Sequence, residues 1–307
     1  MTGDHVGAFL ASSLRLSMPL VLAATGEFVS EKAGVINFSL EGMMLAGAFG
    51  GAMAALATGS AVLGVGIGVV AALIVALFQA TLSVSLRANQ MVVGFGFNIL
   101  VLGVTTFLFR AIRGSGASDL IPGLPVWRIP FLAEMPILGA ALFEQSSLFY
   151  VGIVLILTVL IMMAHSHFGL SVRAVGEDPI AADMAGVDVN RIRYLSVLCA
   201  GGMAGVAGCF LSIADLDTFA EGMTKGAGYL ALTSVIFGAW IGWRVVLGCI
   251  LFGTATALQF LLPDLGYEVP TALLLMLPYV LALLAITGLV GNIRAPAALG
   301  TPFIRGR

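Results

Sequence analysis

Long apolar runs alternate with short polar interruptions along nearly the whole chain. A helix needs about 20 apolar residues to cross roughly 30 Å of hydrocarbon. Runs of about that length lie at 8–28, 36–57, 61–85, 90–112, 146–165, 192–213, 243–262 and 270–290. A shorter run at about 228–241 has the length of a half-helix. The pattern predicts an all-α, polytopic transmembrane helix bundle of about 8–10 spans with one or two broken or half helices.

The composition supports a membrane protein and excludes several other classes. Of 307 residues, 60% are hydrophobic and only 10% are charged, with a mean hydropathy of +1.08. Soluble domains carry roughly 25% charged residues. The net charge of −2 gives no reason to expect a nucleic-acid partner. The cysteines, Cys199, Cys209 and Cys249, all lie in apolar runs, where packing is their usual role.

A polar island at about 169–191 separates two apolar runs. Within it, Asp178 can cap a helix that starts at Pro179 and ends at Gly186. Ile180 and Met184 are four residues apart, and we expect them to form an outward apolar stripe together with Ala181, Ala185 and Val187. A helix of about two turns is not stable alone in water. The island therefore predicts a helix that docks on another protein.

Polar residues also enter the predicted membrane region at 26–42, which contains Glu27, Glu31, Lys32, Asn37, Ser39 and Glu41. Ionisable groups at membrane depth normally face a cavity, a partner or an interface. Glycines at 26, 34 and 42 favour a broken helix or a re-entrant turn. An ordinary hairpin with Glu31 and Lys32 in solvent is the alternative, although Asn37 and Glu41 directly precede an apolar run and fit it less well.

A second polar patch at 214–230 repeats the string Glu-Gly-Met of residues 41–43 at 221–223. The two copies run in opposite directions across the predicted membrane, as an inverted repeat would. Three matching letters are also compatible with coincidence. Asn98 adds a polar group to the fourth predicted span, where it fits a substrate ligand or a hydrogen bond between helices.

Arginines concentrate in alternate loops, which the positive-inside rule assigns to the cytoplasm. This places the N-terminus outside and the C-terminus in the cytoplasm, with nine crossings between them. Residues 113–145 contain four prolines and are predicted to form a loop over the outer mouth. Trp240 and Trp243 are interpreted as part of an aromatic belt at the inner membrane edge.

The sequence offers no catalytic residues. It lacks the G-x-x-x-x-G-K-[ST] loop that cradles ATP, and it lacks H-E-x-x-H and G-x-S-x-G motifs. His165 and His167 form an isolated pair at the end of a span, so no metal site is expected. The chain is predicted to move a solute, or to assist in moving one, without enzymatic activity of its own.

Four stretches carry a resemblance to a known family: 26–51, 89–110, 168–195 and 219–238. They resemble the permease subunits of bacterial ABC importers in the ribose and branched-chain amino acid permease superfamily. The nucleoside and simple-sugar branch looks most similar. The resemblance extends from about residue 10 to 290, and the pairing of GVINFSLEGM with RAVGEDPIAADMAGV is its most specific part.

The resemblance implies a function and a set of partners. Residues 1–307 would form a single transmembrane permease domain that translocates nucleosides, or related simple sugars, into the cytoplasm by alternating access. The chain would hold no cofactor, since ATP and Mg would bind a separate ABC ATPase subunit. A second related permease, which would form a heterodimer with this chain, and a substrate-binding lipoprotein would complete the importer in the bacterial cytoplasmic (inner) membrane.

The resemblance also implies roles for individual residues. Four residues would lie along the translocation pathway: Asn37, Ser39, Glu41 and Asn98. The cytoplasmic segment at about 169–191 would couple the permease to the ATPase through Gly176, Glu177, Asp178, Pro179, Ala181, Ala182, Met184 and Gly186.

Two other interpretations remain open from the residues. An ion-coupled secondary transporter of a small polar solute would use Glu41 or Glu27 as its ion site at a broken helix. A membrane scaffold or receptor would need no polar cavity between the spans. Neither alternative requires the docking helix of the polar island.

Overall fold

The computed structural model describes residues 3–114, 120–130, 135, 138–264, 270–288 and 294–304. Within these residues the chain forms twelve α-helices and one two-stranded antiparallel sheet. The helices are α1 Gly3–Lys32, α2 Leu40–Thr58, α3 Ala61–Ala80, α4 Gln90–Arg113, α5 Leu138–Phe143, α6 Ser147–His165, α7 His167–Glu177, α8 Pro179–Met184, α9 Val189–Cys209, α10 Ala227–Phe237, α11 Gly242–Asp264 and α12 Thr271–Gly288. The strands are β1 Val126–Arg128 and β2 Glu144–Ser146.

Seven of the described helices are long and apolar enough to cross a membrane, namely α1, α2, α3, α4, α6, α9 and α11. Two of them continue as π-helical turns, α3 through Thr81–Ser85 and α9 through Phe210–Asp215. The apolar helix α10 has only 11 residues, and α12 has 18. The predicted all-α bundle with a half-helix is confirmed. The predicted span at 270–290 matches α12, except that 289–290 lie outside the described residues.

The bundle has two ends, which we call the α8 end and the β end. At the α8 end, the carbonyl of Lys32 at the end of α1 lies against Gly176 of α7. At the β end, Arg15 in the first half of α1 forms an ion pair of 3.1 Å with Asp215. The long helix α1 therefore runs the full length of the bundle.

Helices α2, α3 and α9 approach one another closely through glycines. A Cβ atom on Gly47 would lie 2.7 Å from the carbonyl oxygen of Gly205, and one on Gly64 would lie 2.8 Å from that of Gly51. Gly208 lies directly against the carbonyl of Met44. Small residues let helix backbones approach closely in the absence of a hydrophobic driving force. The glycine spacing in the sequence therefore has a packing role here.

The segment predicted as a loop at 113–145 contains regular structure, so that prediction was wrong in part. Strands β1 and β2 pair with Trp127 opposite Gln145, and the short helix α5 precedes β2. The strands are only three residues each, which is too short for a periodic pattern to show in the sequence. Residues 115–119, 131–134 and 136–137 of this segment lie outside the described part of the chain.

The segment 294–304 folds back across the α8 end. Its Ala298 amide donates to the Gly176 carbonyl oxygen (2.9 Å), and its Gly300 amide donates to the Gly34 carbonyl oxygen (2.9 Å). Phe303 is buried in a small apolar cluster with Val175, Ala182 and Val189. This segment therefore ties α7, α8 and the connection after α1 together. Arg305 and Arg307, which follow this segment, lie outside the described residues.

Candidate functional site

A cavity of about 310 Å³ opens where the N-termini of α2 and α10 meet, beside α4. Its walls combine apolar side chains with several polar ones. It is lined by Glu41, Gly42, Leu45, Asn98, Ile99, Leu102, Gly222, Thr224, Lys225 and Tyr229. Helix N-termini that point at one cavity are a recurrent way in which membrane transporters build a polar site.

Glu41 binds the N-terminus of α10 from the first turn of α2. Its Oε1 accepts hydrogen bonds from the Thr224 hydroxyl (2.5 Å) and the Gly226 amide (2.8 Å), and its Oε2 accepts one from the Gly228 amide (2.7 Å). The first amides of a helix have no partner within the helix, and the helix dipole favours negative charge there. The carboxylate therefore holds α10 against α2, and both of its oxygens are engaged in doing so.

Asn98 makes the corresponding connection from α4. Its Oδ1 accepts from the Gly42 amide at the start of α2 (2.8 Å). Its Nδ2 donates to the Phe38 carbonyl oxygen (2.8 Å) and to the Tyr229 hydroxyl (2.7 Å). The side chain thus joins α2, α4 and α10 at the cavity. Its amide orientation is fixed by these three partners, since the opposite assignment would face donor to donor.

The other two predicted pathway residues lie behind the cavity wall. Asn37 and Ser39 are fully buried, and neither is among the residues that line the cavity. The Ser39 hydroxyl donates to the Asn37 Oδ1 (2.7 Å), and the Asn37 backbone N–H donates to the Glu27 Oε1 (2.8 Å). These contacts fix the extended connection that leads from α1 to α2. Asn37 and Ser39 therefore hold the chain behind the cavity, and neither forms part of the cavity surface.

The cavity includes residues that the sequence did not single out, namely Thr224, Lys225 and Tyr229. They belong to the polar patch at 214–230, whose position after an apolar run was the available signal. The repeated Glu-Gly-Met string was misleading. Glu41 is in the first turn of α2, whereas Glu221 lies in the connection before α10 and pairs with Arg110. That bidentate pair lowers the pKa of the Glu221 carboxyl.

Glu31 and Trp240 meet inside the bundle, which contradicts two predictions. Glu31 is buried, and its Oε2 accepts a hydrogen bond of 2.5 Å from the Trp240 indole N–H. The hairpin interpretation with a solvated Glu31 is therefore wrong. Trp240 is also buried and cannot belong to a belt at the membrane edge, whereas Trp243 is 60% exposed. A sequence pattern shows that an aromatic residue follows a span but not which way its ring points.

The short helix of the polar island forms as the sequence predicts. The Asp178 Oδ1 accepts hydrogen bonds from the amides of Ile180 (3.0 Å) and Ala181 (2.9 Å), and Pro179 is the first residue of α8. Gly186 follows the helix with φ +88°, a conformation that suits glycine. Ile180 and Met184 are 50% and 79% exposed. The helix therefore presents an apolar stripe at the surface of the α8 end.

Not every predicted coupling residue lies on that exposed surface. Glu177, Asp178, Ala181 and Gly186 are exposed and Pro179 is partly exposed, as the outward face requires. Ala182 is buried against the cluster of Phe303, Val175 and Val189, and Val187 packs on the same cluster. Val187 was expected in the outward stripe, and that placement was wrong. Gly176 is buried beneath the Lys32 carbonyl, where a side chain would collide.

The helical bundle, the cavity between the N-termini of α2 and α10 and the exposed helix α8 are features of a multi-pass membrane permease. The chain belongs to the family described as the permease component of branched-chain amino acid transport systems, whose model matches residues 9–286. This match confirms the resemblance found in the sequence motifs.

Individual relatives are similar along most of the chain. It is 35% identical over 310 residues to the guanosine ABC transporter permease protein NupQ of Bacillus subtilis, with 96% of each chain covered. It is 38% identical over 261 residues to TsgC13 of Haloferax volcanii, a permease named for glucose ABC transport, covering 83% of this chain and 78% of the relative. Both relatives are ABC transporter permeases by name.

A solved structure of an ABC transporter in an inward-facing conformation has the same fold. The two chains superpose with a TM-score of 0.51 at 14% sequence identity, covering 91% of this chain and 84% of the other. At this identity the likeness concerns the fold alone.

Proposed function

We propose that this permease passes nucleosides, or related simple sugars, into the cytoplasm as one subunit of an ABC importer. The observation that carries the proposal is the cavity at the joined N-termini of α2 and α10. Ligand sites in proteins occupy roughly 300–1,000 Å³, and this one holds about 310 Å³. The names of NupQ and TsgC13 support a nucleoside and a sugar, respectively.

The chemistry of the cavity fits a nucleoside better than a purely apolar solute. Thr224 and Lys225 offer a hydroxyl and an ammonium group that suit ribose hydroxyls. The Tyr229 ring stacks on Phe95 with centroids 6.1 Å apart, and an aromatic ring suits the flat face of a base. Glu41 and Asn98 hold the helix ends that shape the cavity, with Asn37 and Ser39 as buried supports of the proposed pathway.

One side of the cavity is open and requires a cover. Ile99 and Leu102 of α4 line it and remain exposed, Ile99 at 73%. A polar cavity that opens sideways into lipid would be unfavourable. A second, related permease placed against α4 and α10 would close it, so the proposed functional unit is a dimer of permeases with the pathway between them.

The proposed orientation places the α8 end in the cytoplasm. Arg173 and Arg191 flank α8, in agreement with the positive-inside rule. The N-terminus would then lie outside, where a substrate-binding lipoprotein delivers the solute, and the C-terminus inside. The coupling segment at 169–191 would dock on an ABC ATPase that binds the ATP and Mg. Residues 1–307 would thus act as a single permease domain of the bacterial cytoplasmic membrane.

The ion-coupled alternative loses Glu41 as its ion site, because both oxygens of Glu41 are engaged at the start of α10. A direct test purifies the tagged chain from its own membranes in mild detergent and identifies the proteins that accompany it. The importer predicts a Walker-containing ATPase and a second permease. Proteoliposomes with those partners should take up guanosine with ATP and should be insensitive to a protonophore. Uptake that persists without ATP and stops with the protonophore would refute the importer.

A further inference from the structure

Helix α10 is held at both of its ends by a carboxylate from another helix. At its N-terminus, Glu41 accepts from the Gly226 and Gly228 amides beside the cavity. Beyond its C-terminus, Trp240 donates its indole N–H to Glu31 in the last turn of α1. An 11-residue helix is about 16 Å long. It therefore forms a short rigid connection between the cavity and the α8 end.

The attachment at Trp240 lies in an unusual turn. Ala239 and Trp240, between α10 and α11, have φ values of +52° and +55°. Residues with a Cβ rarely adopt this left-handed conformation, and they keep it only when surrounding contacts determine it. The buried indole and its bond to Glu31 are contacts of that kind. The turn is thus fixed by α1 rather than by its own conformational preference.

The same end of α1 also contacts the helix that precedes α8. The carbonyl of Lys32, the residue after Glu31, lies against Gly176 of α7 so closely that no side chain fits between them. Asp178, two residues further on, caps α8. A displacement of α8 is therefore passed through α7 to the last turn of α1, since packed backbones deform little.

From this arrangement we infer that the Glu31–Trp240 hydrogen bond is the latch that carries the movement of α8 to the cavity through α10. This inference rests on the proposed function, and it assigns Glu31 and Trp240 as positioning residues in the transport cycle. When the latch is intact, a shift of the end of α1 moves α10, and Glu41 moves the start of α2 with it. When the latch is absent, a movement of α8 reshapes the cavity less, because the C-terminal end of α10 no longer follows α1.

The test is Trp240→Phe in the complete transporter, reconstituted with its ATPase, second permease and binding lipoprotein. The change removes the indole N–H and keeps an aromatic ring in place. Trp243→Phe is the matched control, because this nearby indole is exposed and contacts the Arg244 guanidinium by its ring. We expect Trp240→Phe to raise the ATP hydrolysed per solute imported several-fold, while Trp243→Phe leaves the ratio unchanged.

A merely structural role predicts another result. Uptake and ATP hydrolysis would then fall together as less complex assembles, and an unchanged ratio overturns the latch. If Trp240→Phe does not fold, Glu31→Leu and Glu31→Gln decide the question, since the Gln carbonyl can still accept from the indole. A raised ratio in Glu31→Leu with a near-normal one in Glu31→Gln supports the latch, and equal ratios in the two overturn it.

Measurements on the wild-type complex distinguish a failure of this inference from a failure of the proposed function. A wild-type complex that performs no ATP-dependent uptake refutes the importer, and the latch falls with it. A wild-type complex that imports guanosine, together with a Trp240→Phe complex of normal stoichiometry, refutes the latch alone.

Discussion

Two junctions between helices in this permease are built on different principles. Helices α2, α3 and α9 meet backbone to backbone through glycines, with Gly208 against the Met44 carbonyl. Helices α2, α4 and α10 meet through polar side chains, with Glu41 and Asn98 as the joints. The first junction leaves no space for rearrangement. The second also contains a close approach of Gly228 to the Glu41 backbone, but hydrogen bonds from side chains, which can exchange partners, join its three helices.

This difference assigns different tasks to the two junctions. Close backbone packing has a single arrangement, so the α2–α3–α9 unit can act as a rigid frame. A hydrogen bond contributes about 0.5–1.5 kcal/mol net, so a junction of a few such bonds can have two arrangements of similar energy. Switching between packings is what alternating access requires. The cavity lies at the polar junction, where such a switch would open or close it.

The largest effect is expected at the rigid junction. Gly208→Val would place side-chain atoms against the Met44 carbonyl and the Ala48 amide, which belong to the backbone and cannot move aside. Overpacking costs typically 1–3 kcal/mol, and a collision with backbone should exceed about 3 kcal/mol. We expect loss of monodisperse protein in detergent size-exclusion chromatography. Gly66→Val is the control, because nothing lies within 4 Å of the added Cβ. Normal folding of Gly208→Val would contradict the rigid frame.

A smaller effect on stability, with a larger one on transport, is expected for Glu41→Ala. It removes the acceptor of the Gly226 and Gly228 amides, and loss of a helix cap costs about 0.5–2 kcal/mol. The bundle should fold with a lowered thermal midpoint, while uptake is abolished because α10 no longer follows α2. Glu41→Gln keeps one carbonyl acceptor, so its thermal midpoint and its uptake should fall between those of Glu41→Ala and wild type. Wild-type uptake by Glu41→Ala would show that the polar joint is not needed.

The sequence holds a clearer signal for the rigid junction than for the polar one. Glycines spaced four apart, such as Gly47 and Gly51, indicate close helix packing without any knowledge of the partner helix. The cap at Asp178 and the end at Gly186 were also readable, because capping is a local interaction between neighbouring residues. The bonds from Glu41 to Gly226 and from Trp240 to Glu31 join residues 185 and 209 positions apart. No periodicity reports such pairings, so a single sequence could not reveal them.

A minor effect is expected for the Arg110–Glu221 pair at the margin of the polar junction. The Arg110 hydrogen bonds lower the pKa of the Glu221 carboxyl in the folded protein. Its contribution to stability is therefore present above the ordinary pKa of glutamate and is lost as the pH falls through the lowered value. Glu221→Gln should lower the thermal midpoint slightly at pH 7, and the difference from wild type should shrink in strong acid. Because the pair is exposed, 1 M salt should also reduce the difference in thermal midpoint between Glu221→Gln and wild type. A difference that grows in acid would contradict this account.

The smallest effect on the bundle, and the most informative about its partner, is expected for Met184→Asp on α8. Met184 is 79% exposed, and surface substitutions usually change stability by less than about 0.5 kcal/mol. Insertion and thermal midpoint should stay normal, while co-purification of the ATPase falls, because a charge would be buried where the apolar stripe docks.

Gly176 is a poorer probe, since its replacement would collide with the Lys32 carbonyl inside the permease and disturb the fold itself. Asn190→Asp is a suitable control, being exposed on the first turn of α9 and outside the stripe. Undiminished recovery of the ATPase with Met184→Asp would remove α8 as the docking element. The rigid frame and the polar junction would stand unchanged, because neither depends on what α8 contacts.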